Sequence, residues 1–216
     1  MKGYVITVAR GFGSGGKEIS LRLSRKLGIP CYDQEILRMA SEYSGINELL
    51  FARSDEKIKG SFLYQLVMKS RSREIADPGS REFVSDDNLY NIQAEIIRRL
   101  ADTESCIIVG KCANDLLRDY PNVISVYIEA PRAACLKAVM EKYDVDETKA
   151  AKMIQKTDKY RSDYYTYYTG GKKWTDPIAY DMTLNSDRVG YDDCVRLITE
   201  YRNIKFGEDA INRKDG

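Results

Sequence analysis

Short apolar runs alternate with amphipathic stretches along most of the chain. Tyr4–Val8 is a largely apolar run, the pattern of a buried strand. A glycine-rich loop follows, then a helix from about Gly16 to Leu27. Ile19, Leu23 and Leu27 recur there every fourth residue, before Gly28 and Pro30 stop it. A short strand is expected at Cys31–Tyr32, and Cys106–Val109 and Val123–Ile128 are two more continuous apolar runs. Pro131 suits the first turn of a helix reaching Tyr143. Asp144 with Glu147 reads as a capping box opening another long helix. Met182–Leu184 is a last short strand and Tyr191–Tyr201 a closing helix. Strands alternating with helices predict an α/β fold with a parallel sheet and right-handed crossovers.

Two stretches exceed a minimal sheet. One lies between the second and third strands, helical and loop-like, with a polar segment at Ser70–Asn88. The other, Asp146–Trp174, is cationic and rich in tyrosine, with Lys149, Lys152, Lys156, Lys159, Arg161, Lys172 and Lys173. The polar tail from Lys205 to Gly216 reads as a frayed end.

With 216 residues, 43% hydrophobic and 31% charged, the chain is long enough for one α/β domain with a real core. A formal net charge of +1 argues against binding a polyanion by bulk charge. No apolar run near the start is long enough to cross a bilayer and no signal peptide is evident, so a cytoplasmic protein is expected. The five cysteines contain no Cys-x-x-Cys pair, which speaks against a disulfide frame or a zinc site. There is no histidine, which excludes catalysis by a Ser-His-Asp or Cys-His set.

Arg10-Gly11-Phe12-Gly13-Ser14-Gly15-Gly16-Lys17 carries the chemistry. Gly11-x-Gly13-x-x-Gly16, with Asp33 further on, matches a dinucleotide fingerprint and would make the chain an NAD- or FAD-binding oxidoreductase. Gly11-x-x-x-x-Gly16-Lys17 matches a phosphate loop, in which glycines let backbone N–H groups turn onto phosphate oxygens at a helix N-terminus. Lys17, directly after the last glycine, is placed to reach the β- and γ-phosphates. The predicted end of the strand at Val8 leaves a longer loop than a dinucleotide turn needs, and the next convincing strand after Asp33 is distant. Both points favour the phosphate loop. Asp33 follows the second strand, where the ligand crevice of a parallel sheet opens, and it also suits the N-cap of a helix over Gln34–Tyr43. Tyr160, Tyr164 and Tyr168 form a stripe that suits packing of the cationic segment on the body, or a base platform.

Several segments resemble the cytidylate-kinase-like proteins of the nucleoside monophosphate kinase group. They are Gly11–Gly16, Tyr32-Asp33, Ile107–Ala113, Tyr127-Ile128-x-Ala130-Pro131, Lys156–Tyr165 (as Lys-Thr-Asp-Lys-x-Arg-x-x-Tyr-Tyr), and Tyr180-Asp181-x-x-Leu184-Asn185-Ser186. Their order and spacing match together over most of the chain.

The resemblance implies a single three-layer α/β domain with the P-loop kinase fold and a parallel five-stranded sheet. A helical acceptor-binding insert is expected at about residues 44–90 and a helical lid at about 146–174. The implied activity is ATP-dependent phosphoryl transfer to a nucleoside monophosphate, CMP or dCMP foremost. Small-molecule nucleotides are the implied partners, with neither nucleic acid nor membrane. Two rivals are a regulatory protein that holds ATP without fast transfer and a kinase for another small acceptor.

Lys17, Arg161, Lys159 and Lys156 become the candidate catalytic cations. Gly11, Gly13, Ser14, Gly15, Gly16 and Lys17 become the ATP phosphate cradle. Asp33, Lys111, Arg71 and Arg73 are acceptor-binding candidates, with Arg53 and Arg81 also in the insert. Lys111 stands where the family usually has Arg. The Ser or Thr that holds magnesium in such loops is replaced by Glu18 and Ile19. That leaves Ser14, or Asp33 and Glu18 through water, to hold Mg²⁺.

Overall fold

A computed structural model describes residues 3–57, 75–76, 78, 80 and 85–208. The strands are β1 (Val5–Arg10), β2 (Cys31–Tyr32), β3 (Cys106–Val109), β4 (Val123–Glu129) and β5 (Met182–Asn185). The helices are α1 (Gly16–Leu27), α2 (Glu35–Ser44), α3 (Glu48–Lys57), α4 (Asp86–Thr103), α5 (Ala113–Leu116), α6 (Arg132–Tyr143), α7 (Glu147–Tyr168), α8 (Ser186–Val189) and α9 (Tyr191–Phe206). All strand pairs are parallel, in the order β2-β3-β1-β4-β5.

Alternation along the strands sends neighbouring residues to opposite faces. Val5, Cys106, Ile108 and Val123 join α2, α3 and α4 in one core, where Phe51, Ile92 and Ile97 are fully buried. Ile6, Val8, Ile107, Val109, Ile124 and Val126 face α1 and α9, meeting Ile19, Leu23, Leu27 and Ile198. Each such side chain stabilises the fold by roughly 1.5–3 kcal/mol when fully buried. The predicted spacing of α1 is therefore its buried face, and Gly28 closes it in the left-handed conformation at φ 64°.

The sheet order removes the dinucleotide reading. In that fold the first two strands are neighbours, whereas here β3 lies between β1 and β2. Three element boundaries also differ from the sequence reading. β1 continues through Ala9 and Arg10, which pair with Tyr127 and Ile128 of β4, so the loop begins at Gly11. Asp144 is the left-handed C-cap of α6, and the carboxylate that caps α7 is Asp146, accepting from the Lys149 N–H at 2.8 Å. The closing helix runs on to Phe206, because Phe206 stacks on Tyr4 at 5.7 Å and the Lys205 ammonium donates to the Val123 carbonyl at 2.7 Å. Among the described residues no helix is long and apolar enough to cross a membrane.

Candidate functional site

The loop between β1 and α1 lies at the C-terminal edge of the sheet, where ligands of parallel α/β folds bind. Gly13 and Gly15 take positive φ, 89° and 76°, as inward-turned N–H groups require. A side chain at Gly13 would also meet the Cys135 carbonyl oxygen at 2.8 Å. Gly15 is the N-cap of α1, so the loop ends on a helix N-terminus suited to anions. The Ser14 hydroxyl is buried against the Gly11 and Ile128 carbonyls at 2.9 and 3.0 Å. It thus works as a fastener of the loop to β4, a second one being the Ser186 hydroxyl on the Ser14 carbonyl at 2.6 Å.

Lys17 reaches across the loop to Asp33, Nζ to Oδ2 2.9 Å, and Arg10 approaches the same carboxylate at 3.5 Å. Asp33 is therefore a charge partner for two cations. It does not cap a helix, since α2 starts at Glu35 with Gln34 in the N-cap position. Glu18 is held by Arg22 at 2.8 Å and Arg25 at 3.6 Å, and Ile19 is wholly buried.

Helix α7 packs over this array. Asp158 accepts from the Phe12 N–H at 2.8 Å, and Arg161 donates to the Arg10 carbonyl at 2.9 Å while lying 3.6 Å from Asp158. The Arg161 guanidinium also sits over the Phe12 ring, 5.7 Å from its centroid. Burial lowers the pKa of Arg161 to about 10, and the neighbouring Arg10 pushes in the same direction. Burial raises the Asp158 carboxyl against the opposing Phe12 N–H and Arg161.

Two cavities open from this centre. A larger one, about 640 Å³, lies over the glycine loop between Phe12, Tyr143 of α6 and Tyr191 of α9. The other, about 290 Å³, runs beneath α7 past Lys111 to Asn114, Tyr164, Tyr165, Trp174 and Tyr180. Arg10, Asp33, Gln34 and Arg161 line both.

Lys111 borders the second cavity alone, with its pKa pulled down to about 8 by burial against the opposing pull of Asp33. The structure thus brings together the loop glycines, Lys17, Asp33, Lys111 and Arg161. Lys156 and Lys159 are exposed and line neither cavity, and Lys159 pairs instead with Asp163 at 2.8 Å. Arg71, Arg73 and Arg81 lie outside the described residues, as does the side chain of Arg53. Of the tyrosine stripe, Tyr160 and Tyr164 line the second cavity, whereas Tyr168 stacks on Tyr90 of α4 at 3.7 Å. Sequence reasoning passed over Arg10, Asp158 and Asn114. The first was visible only as the residue before the glycines, the second only as an acid among cations.

A model described as the cytidylate kinase-like family matches residues 5–188. Among solved structures, an uncharacterized protein from Eubacterium ventriosum ATCC 27560 is 28% identical, with a TM-score of 0.68 over 93% of this chain and 98% of that one. Shikimate kinase from Bacteroides thetaiotaomicron is 11% identical, with a TM-score of 0.50 over 92% and 97%. A search of curated proteins finds no match.

Proposed function

Because the chain belongs to the cytidylate kinase-like family and has the P-loop kinase fold, we propose that it transfers the terminal phosphoryl group of ATP to a nucleoside monophosphate, CMP or dCMP foremost. The observation that carries this reading is the pair of cavities meeting at Arg10, Asp33, Gln34 and Arg161. One is floored by the phosphate loop and suits the donor. The other is walled by Lys111 and aromatic rings and suits the acceptor.

The chemistry asks for positioning and charge more than for a base. A monophosphate carries its second charge above a pKa of about 6, so its oxygen attacks the γ-phosphorus without losing a proton first. The new P–O bond forms as the bond to the β–γ bridging oxygen breaks, leaving ADP. Loop N–H groups and Lys17 neutralise the donor's β- and γ-oxygens. Arg161, held by the Arg10 carbonyl and Asp158, supplies positive charge at the junction of the cavities. Lys111 and Arg10 hold the acceptor phosphate.

Magnesium fits in a minimal way. Among the described residues no three metal-ligating side chains cluster, and the Ser14 hydroxyl is taken up by carbonyls. Asp33 is the carboxylate beside Lys17, and one carboxylate with substrate phosphates and water is a set Mg²⁺ accepts. Asp33 would hold the ion, which would offset charge on the donor phosphates.

The lack of a hydroxyl directly after Lys17 favours a second reading, a nucleotide-binding regulator with little transfer. One assay separates the two: ATP-dependent phosphorylation of CMP, dCMP, UMP, AMP and GMP with Mg²⁺, beside calorimetry of ATP binding. We expect turnover of CMP or dCMP on the order of 1–100 per second, and a loss of about 10²–10³-fold in Lys17→Ala. Tight ATP binding with none of these acceptors turned over would remove the monophosphate-kinase reading and leave a regulator or a kinase for another small acceptor.

A further inference from the structure

We propose that Asn114 selects the acceptor's base, favouring a ring that presents an amino group, as cytosine does, over one that presents a carbonyl there, as uracil does. The inference rests on the monophosphate-kinase reading of the same cavity.

That cavity has an ionic end, shared with the donor cavity through Arg10, Asp33 and Arg161, and an aromatic end formed by Tyr164, Tyr165, Trp174 and Tyr180. Flat rings of this kind offer π faces to a nucleobase. Asn114 belongs to the aromatic end. It is 6% exposed, lines the cavity, and donates from Nδ2 to the Tyr165 hydroxyl at 2.9 Å.

With Nδ2 held by Tyr165, the described residues leave the Asn114 Oδ1 without a hydrogen bond. That oxygen is not sealed off, so a molecule in the cavity can reach it. An unpaired amide oxygen in an aromatic wall suits a ligand with a polar edge on a flat ring. The N4 amino group of cytosine donates to Oδ1, whereas O4 of uracil would bring two acceptors together. Tyr165 is the positioning residue, because its hydroxyl accepts from Nδ2 and so holds the amide with Oδ1 left for the ligand.

The test is kcat/KM for CMP and for UMP at saturating ATP, in the wild type, Asn114→Ala, Asn114→Asp and Tyr165→Phe. The wild type is expected to favour CMP by about tenfold or more, the scale of one specific base contact. Asn114→Ala brings the ratio to within about threefold with the KM for ATP unchanged. Asn114→Asp, which still accepts, retains the preference, and Tyr165→Phe lowers it by freeing the amide to turn. A wild-type ratio near one overturns the proposal. So does an alanine variant that slows both substrates equally, the mark of a packing role. If Asn114→Ala fails to fold, the ratio in Tyr165→Phe decides: unchanged, it overturns the proposal. Absence of turnover with every monophosphate is a different result, and removes the kinase reading and this inference together.

Discussion

Lys111 is placed by backbone that side chains seldom adopt. Gly110, Lys111 and Cys112 follow β3 with φ of 78°, 56° and 54°, and each non-glycine residue in such a state costs about 1–3 kcal/mol. The turn sets a lysine in the smaller cavity at a depth where burial draws its pKa to about 8. The charged form binds phosphate, and a lowered pKa means that this form is lost as pH rises. The expected result is a plateau in kcat/KM for the acceptor between pH about 6, where its phosphate gains the second charge, and pH about 8, with a decline of about tenfold per unit above that. The Lys111→Arg variant, whose guanidinium stays charged, should carry the plateau to higher pH. A pH–rate profile of both proteins checks this. At this scale the sequence was a partial guide. Lys17 and Asp33 were legible from their places beside a glycine loop and a strand end, yet their contact needed β2 and α1 in three dimensions. Arg10 was illegible because its importance comes from pairing with β4 and from facing both cavities.

Helix α7 shows how one element sorts its charges by face. Thr157, Tyr160, Arg161, Tyr164 and Tyr165 recur at helical spacing along the smaller cavity, while Lys156 and Lys159 fall on the exposed side. The segment's cationic character was plain in the sequence, but the phase of the helix was not, and the phase decides which cation faces the cavities. Asp158 on the same helix occupies the Phe12 N–H at 2.8 Å, the kind of group a phosphate oxygen takes. Asp158→Asn keeps a hydrogen-bond acceptor and removes a negative charge facing the incoming phosphates. ATP should then bind about 3–10-fold tighter, while turnover falls because Arg161 loses its carboxylate partner. Calorimetry and kcat on one preparation test both halves, and weaker ATP binding would show that the carboxylate supports the loop instead. Strand positions were legible because two-sided burial leaves continuous apolar runs. Boundaries were missed where tertiary contacts set them, as at Arg10, Asp146 and Phe206.

For the whole molecule the decisive relation is between the two cavities. A compound that joins adenosine to cytidine through a chain of phosphates can fill both at once, so the second contact is made within one bound molecule. Such a compound should raise the Tm more than ATP and CMP together at equal concentration. Thermal unfolding gives the answer, a ligand at 100 times its Kd adding about 2.7 kcal/mol of stability. The shared wall also bears on how such a protein changes over generations. Substitution at Arg10, Asp33, Gln34 or Arg161 alters both cavities together. The outer end near Tyr143 and Tyr191 and the outer end near Asn114 and Trp174 can drift apart from each other. Under the proposed transfer, a lineage built on this plan can therefore exchange its acceptor while inheriting, untouched, the site of its donor.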